Sequence, residues 1–139
     1  DDVDWIFMGM CPEPLRPFVH EFHDFVRDFE RYPAALAQLD LDLALAPLEI
    51  NAFNEAKSNL RLLEYGFMGW PVVCTDVFPY QVAPVTRLAN DPQRWIAAIR
   101  EQLADPEGLH KAGKRLQDWV LSGFMIEDHA ASWLDAYRP

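Results

Sequence analysis

The chain has 139 residues, half of them apolar and 24% charged, a length and balance that fit one globular domain spanning 1–139 and exclude a two-domain machine. Five Trp and nine Phe exclude a disordered tail, since a domain of this size buries roughly two thirds of its unfolded surface. Twelve Lys and Arg against 22 Asp and Glu leave a net charge of −10, which opposes nucleic acid or an anionic membrane as a general partner. No apolar run approaches the roughly 18 residues that a membrane helix needs. The start, Asp1-Asp2-Val3-Asp4, has neither a basic leader nor an initiator Met, so the chain is expected to be processed or to be a piece of something longer. Two cysteines, Cys11 and Cys74, suit a reduced cytoplasmic compartment better than a disulfide framework or a metal knuckle. Cys74, inside the apolar run Pro71 to Thr75, reads as core packing.

In chain order, Val3 to Met8 is a β-branched and aromatic run closed by Gly9, which predicts a buried strand. Pro12, Pro14 and Pro17 permit at most a short helical turn before a second strand within Phe18 to Phe25. A short helix follows around Tyr32 to Leu39, then a strand over Leu41 to Ala46 ended by Pro47. The next helix covers Asn59 to Met68, with Leu60, Leu63 and Phe67 as its apolar face and Gly69 as its stop, and Pro71 to Thr75 forms another strand. After a last strand over Pro84 to Leu88, Asn90-Asp91-Pro92 and Asp105-Pro106 each combine a carboxylate cap with proline in the first turn. They open two helices, the first with Trp95, Ile96, Ile99 and Leu103 inward and the second with Leu109, Leu116, Trp119 and Val120 inward. A final helix, Glu127 to Tyr137, is expected to turn Ala130, Trp133 or Leu134, and Tyr137 inward. Strands separated by helical segments predict an α/β fold, an open parallel sheet covered by helices on both faces.

Such sheets place ligands at the carboxyl ends of their strands, which directs attention to Pro47 to Asn59. A polar loop of about ten residues there exceeds the usual two to six of a strand-to-helix connection. Lys57, Ser58, Asn59 and Leu60 lie where the helix begins, so backbone amides, a hydroxyl and an ammonium group converge on one anion-sized spot. Glu64 follows on the helix, and a carboxylate accepts both hydrogen bonds of a vicinal diol. It also lies three residues after Arg61, a spacing that pairs the two on a solvated helix face. Anion first and diol second suggest a nucleoside diphosphate. Asn54 and Tyr80 are candidates for the pocket rim.

The run Lys57-Ser58-Asn59-Leu60-Arg61-Leu62-Leu63-Glu64-Tyr65-Gly66-Phe67-Met68-Gly69-Trp70-Pro71-Val72-Val73-Cys74-Thr75-Asp76 resembles the donor-binding signature of GT-B-fold glycosyltransferases, in the branch found in bacterial cell-surface polysaccharide and lipopolysaccharide synthesis. Leu41 to Pro47 is similar to the strand that precedes that signature. The resemblance implies the Rossmann-like carboxyl-terminal half of a two-domain enzyme, with Glu64 on the ribose hydroxyls and the amides of Ser58, Asn59 and Leu60, beside Lys57, on the donor diphosphate. It also implies a nucleoside-diphosphate sugar as substrate and no metal or other cofactor, since helix dipole and cations stabilise the leaving diphosphate. The sequence departs from the family where many relatives carry a glutamate eight residues before Glu64. Ala56 stands there, and Glu55 is one residue out of register. No amino-terminal acceptor-binding domain precedes Asp1 in this sequence, so the chain alone is expected to transfer no sugar, to self-associate through an exposed interdomain face, and to meet a membrane only peripherally through its parent. No catalytic residue is identified.

Two other readings compete: a non-catalytic α/β interaction module with a degenerate donor site, and a sugar-nucleotide epimerase-like domain. His20-Glu21-Phe22-His23 is not a His-Glu-x-x-His motif, and residues three apart on a strand face opposite ways, so no metal site is expected there. Ser-His-Asp spacing, a nucleophile elbow and a Walker loop are all absent from the sequence.

Overall fold

The computed structural model describes residues 3–138, and the chain divides into two compact units, residues 1–40 and 41–139. Both are α/β, and every strand pairing in them is parallel. Instead of one continuous sheet, the strands form a two-stranded sheet in the first unit and a three-stranded sheet in the second. Alternating strand and helix signals locate the elements but carry no information on which strands pair.

In the first unit β1 (Ile6–Gly9) pairs with β2 (Glu21–Asp24), Ile6 opposite Glu21 and Gly9 opposite Asp24. Gly9 closes β1 at φ +88°, a conformation that disfavours any side chain. The proline-rich connection makes a 3-10 helix of six residues, Glu13–Phe18, because each proline fixes its own φ while removing a backbone donor. His20 secures the start of β2: its Nδ1 accepts from the Trp5 amide at 3.0 Å, and its Nε2 lies 3.2 Å from an Asp4 carboxylate oxygen. α1 (Tyr32–Ala37) starts with Pro33 in its first turn, and Leu36 and Leu39 are buried.

In the second unit β3 (Ala44–Ala46), β4 (Val72–Thr75) and β5 (Thr86–Leu88) lie in chain order, with Ala44 opposite Val72 and Val73 opposite Thr86. Every residue of β4 is buried, as expected of the central strand of a covered parallel sheet. Cys74 sits fully inside it, and burial pushes its thiol up to about 12, so the core-packing reading of this cysteine holds. Between β3 and β4 the chain makes a short helical turn, α2 (Ala52–Glu55), inside what the sequence suggests is open loop, and then the crossover helix α3 (Leu60–Phe67). Gly69 at φ +80° ends α3. The Trp70 amide donates to the Tyr65 carbonyl and the Gly69 amide to the Gly66 carbonyl, while the Trp70 and Tyr65 rings pack 5.9 Å apart, a complete Schellman motif.

The buried face of α3 differs from the expected one. Leu60 and Phe67 are exposed, whereas Leu62 and Gly66 are buried. The cause is α5 (Pro106–Gly123), whose Leu116 and Val120 pack against Gly66 so closely that a Cβ there would lie 2.9 and 2.7 Å from them. Gly113 of α5 likewise faces the Gly69 carbonyl at a separation no side chain would tolerate. The two Asp-Pro starts behave as expected: Asp91 Oδ1 accepts from the Gln93 and Arg94 amides ahead of α4 (Pro92–Leu103), and Asp105 Oδ1 from the Gly108 amide ahead of α5. On α4, Trp95, Ile99 and Leu103 are half-buried but Ile96 is exposed. On α5, Leu116 and Val120 are buried while Leu109 and Trp119 are half-buried. α6 (Ile126–Ala136) corrects a further expectation, since Ala130, Trp133, Leu134 and Tyr137 are all exposed. α5 ends at Gly123, and His129 of α6 lies 2.9 Å from the Gly123 carbonyl, while the apolar positions of α6 stay exposed. None of the described helices is long and apolar enough to cross a membrane.

Candidate functional site

Because β3 and β4 are parallel, the helix between them runs back along the sheet, and its first turn lies at the carboxyl ends of the strands. The residues following β3, β4 and β5 share that edge. Its floor is a polar network around Thr75, the last residue of β4, which is fully buried. The Leu48 amide donates to Thr75 Oγ1 at 2.8 Å, and Asn90 Nδ2 donates to the Leu48 carbonyl at 2.8 Å. The single Thr75 hydroxyl proton has two acceptors within 3.0 Å, the Leu48 carbonyl and Asn90 Oδ1. With Asn90 already serving that carbonyl, the complementary arrangement directs the hydroxyl to Asn90 Oδ1. Three segments far apart in sequence are thereby tied at one point.

Above this floor the segment after β3 is fixed by its own side chains. Asn51 caps α2 by accepting from the Asn54 amide at 2.9 Å, and Asn54, itself buried, donates from Nδ2 to the Glu49 carbonyl at 2.8 Å. Glu55, half-buried, accepts from the Phe78 amide at 2.7 Å, joining this segment to the one after β4. That second segment makes a 3-10 turn, Phe78–Tyr80, and buries Val77, Tyr80 and Ala83 at a spacing of three. Asp76 at its start is 3.5 Å from Arg87 and accepts from Gln81.

Lys57 and Ser58 occupy the turn between α2 and α3, and Asn59 is the residue that caps α3. Lys57 is exposed, its ammonium 4.7 Å from the centroid of the Phe53 ring. Ser58 precedes the cap position. Its Oγ meets the Leu60 amide at 3.4 Å, a long contact, and the Asn59 side chain makes no cap hydrogen bond. The intrahelical ladder opens with the Leu62 amide donating to the Asn59 carbonyl at 2.8 Å, so the first-turn donors ahead of it point out of the helix start.

Glu64, one turn further on, is 22% exposed and lies 3.2 Å from the Arg61 guanidinium, the pairing that its spacing offered as the alternative reading. Arg61 also stands over the Tyr65 ring at 5.6 Å. Burial pushes the hydroxyls of Tyr65 and Tyr80 above their ordinary range, against the opposing field of Arg61 and reinforced by Glu64. Both rim candidates, Asn54 and Tyr80, are buried, and they act as supports of the edge rather than as its open lining.

The structure thus brings Lys57, Ser58, Asn59, Leu60 and Glu64 to one edge and adds Glu55, Arg61, Thr75 and Asn90, none of which the sequence singled out as a site residue. For Arg61 a signal existed in its three-residue spacing from Glu64. The other three are joined across 23 or more residues, or across two strands, and carry no local signature. A pocket of about 240 Å³ in the first unit is lined by Trp5, Phe7, Leu15, Phe18 and Val19; none of the candidate residues lines it and it contains no ionisable group. Among the described residues no three His, Cys, Asp or Glu side chains gather as a metal ligand set. In comparison with known proteins, the chain matches no family model, no curated protein and no solved structure.

Proposed function

We propose that residues 41–139 bind the nucleotide of a nucleoside-diphosphate sugar and form the donor-binding part of a GT-B-like glycosyltransferase of cell-surface polysaccharide synthesis. The observation that carries the reading is the β3–α3–β4 unit: a parallel pair whose crossover helix starts at the carboxyl edge with Lys57-Ser58-Asn59 and carries Glu64 one turn deeper. On this reading the outward first-turn amides and the Lys57 ammonium take the diphosphate, which gathers negative charge as the glycosidic bond breaks. The Glu64 carboxylate, oriented by Arg61, takes the ribose diol. A Rossmann-like arrangement is part of the same proposal, supported by the parallel pairings and by the resemblance of residues 57–76 to the donor signature. Sugar transfer further requires an acceptor held against the donor, and the proposal assigns that task to another domain.

Calorimetric titration of UDP, GDP, ADP and TDP against the wild-type chain and Glu64→Gln tests this. Saturable binding of at least one diphosphate, weakened roughly 10- to 100-fold by the loss of a charged hydrogen-bonding partner, is expected. Equal affinities of the two proteins would remove Glu64 from the site. Absence of binding by all four to the wild type would favour a non-catalytic module.

A further inference from the structure

We infer that Glu55 is a positioning residue of the carboxyl-edge site, a clamp that acts on the nucleotide through the segment after β4 and not by touching the ligand. Its carboxylate accepts from the Phe78 amide at 2.7 Å, and that amide opens the 3-10 turn Phe78–Tyr80. A charge-assisted contact of this length is among the stronger hydrogen bonds a chain makes to itself. The turn it holds has one exposed ring, Phe78, and one buried ring, Tyr80, and follows β4 at the carboxyl edge of the sheet. A path therefore runs from Glu55 to the Phe78 amide and along the turn to Tyr80, at the same strand ends from which α3 starts.

The support behind Glu55 is consistent with this role. α2 presents the carboxylate, Asn51 caps α2, and Asn54 secures it to the Glu49 carbonyl. The connection from β4 to β5 spans residues 76–85 and contains no α-helix, so its register depends on the buried Val77, Tyr80 and Ala83, on Arg87, which reaches both the Asp76 carboxylate and the Ala83 carbonyl, and on the Glu55 carboxylate at its head. Parallel strands are usually joined by a dozen residues or more with a packed helix between them. A short, helix-free connection gains most from a clamp supplied by its neighbour.

Two side-chain properties are separable here. Glu55→Gln keeps the reach and an acceptor oxygen but loses the charge. Glu55→Asp keeps the charge but falls one methylene short, and Glu55→Ala loses both. Amide hydrogen exchange at Phe78 in the unliganded chain, with UDP titrations alongside, reads them out; the ligand arm rests on the nucleotide reading above. Expected are roughly tenfold faster Phe78 exchange and a three- to tenfold weaker UDP affinity in Glu55→Asp and Glu55→Ala, with Glu55→Gln, which keeps an acceptor oxygen but loses the charge assistance, between wild type and Glu55→Ala in both. Unchanged Phe78 exchange in Glu55→Asp would overturn the clamp. So would a Glu55→Gln variant as impaired for UDP as Glu55→Ala, since that result means the charge meets the ligand directly. Should the wild-type chain bind no UDP, the nucleotide reading falls alone and the exchange series still decides the clamp.

Discussion

Thr75→Val isolates the network at the floor of the site. The substitution nearly preserves volume at a fully buried position, so the change is confined to hydrogen bonding. Two bonds disappear with unequal consequences. The Leu48 amide, which donates to Thr75 Oγ1 at 2.8 Å, faces a methyl group instead and stays unpaired, at a cost of about 1–3 kcal/mol. Asn90 is exposed enough for its Oδ1 to take water in place of the hydroxyl, and its Nδ2 continues to serve the Leu48 carbonyl. The net loss is about 2 kcal/mol, or a fall in melting temperature of roughly 10 °C at 4–8 °C per kcal/mol for a unit of this size. Thr75→Ser keeps the hydroxyl and removes one buried methyl, worth about 1 kcal/mol. Asn90→Ala should cost less than about 1 kcal/mol, because the Thr75 hydroxyl can turn to the Leu48 carbonyl 3.0 Å away. Urea unfolding of the three variants gives the ordering directly. A Thr75→Val protein as stable as wild type, or Thr75→Ser the more damaged of the two, would refute the assignment of the Leu48 amide to this hydroxyl.

Gly66→Ala places a methyl 2.7 Å from Val120 Cγ2 and 2.9 Å from Leu116 Cγ, both on buried side chains. The clash outweighs the helical gain of alanine by about 1–2 kcal/mol in urea unfolding. The penalty should shrink in a Val120→Ala background, and additive effects would contradict direct packing at this point. Cys74 should resist alkylation in the native chain at pH 8 and react at once in denaturant; rapid native labelling of this residue would contradict its burial in β4. The same shift has a consequence for stability. The folded thiol titrates near 12 and the ordinary one near 9, so the native state holds its proton through the interval in which the unfolded chain releases it. Tyr65 and Tyr80 are raised in the same direction. Their joint contribution is complete below pH 9 and is lost as pH rises toward 12, and denaturation midpoints that stay level across that interval would contradict it.

What could be read from the sequence was chemistry that acts locally. Asp91-Pro92 and Asp105-Pro106 start helices because capping is decided within four residues, and Gly69 ends α3 because a left-handed φ is needed at that one position. The placement of Lys57, Ser58 and Asn59 at a helix start was legible for the same reason. The inward face of α3 was not, since Leu60, Leu63 and Phe67 share one side of the helix while Leu62 and Gly66, on the opposite side, are the buried positions, and only the approach of Leu116 and Val120 makes Gly66 the contact point. Thr75, Leu48 and Asn90 meet only after parallel pairing sets three strand ends side by side, and Glu55 reaches Phe78 across 23 residues. Pairing of the strands into two sheets was hidden likewise, because a strand pattern specifies a buried face and not a neighbour. For α6, periodicity correctly gave an amphipathic helix but could not tell whether another surface of this chain covers it.

The most direct test of a nucleotide site at the carboxyl edge of the β3–β4–β5 sheet is a backbone amide NMR titration of the chain with UDP. Saturable shifts centred on Ser58, Asn59 and Leu60, with smaller ones at Glu64 and along Phe78–Tyr80, are the predicted result. Shifts confined to the first unit, or a spectrum unchanged by millimolar UDP, would contradict it.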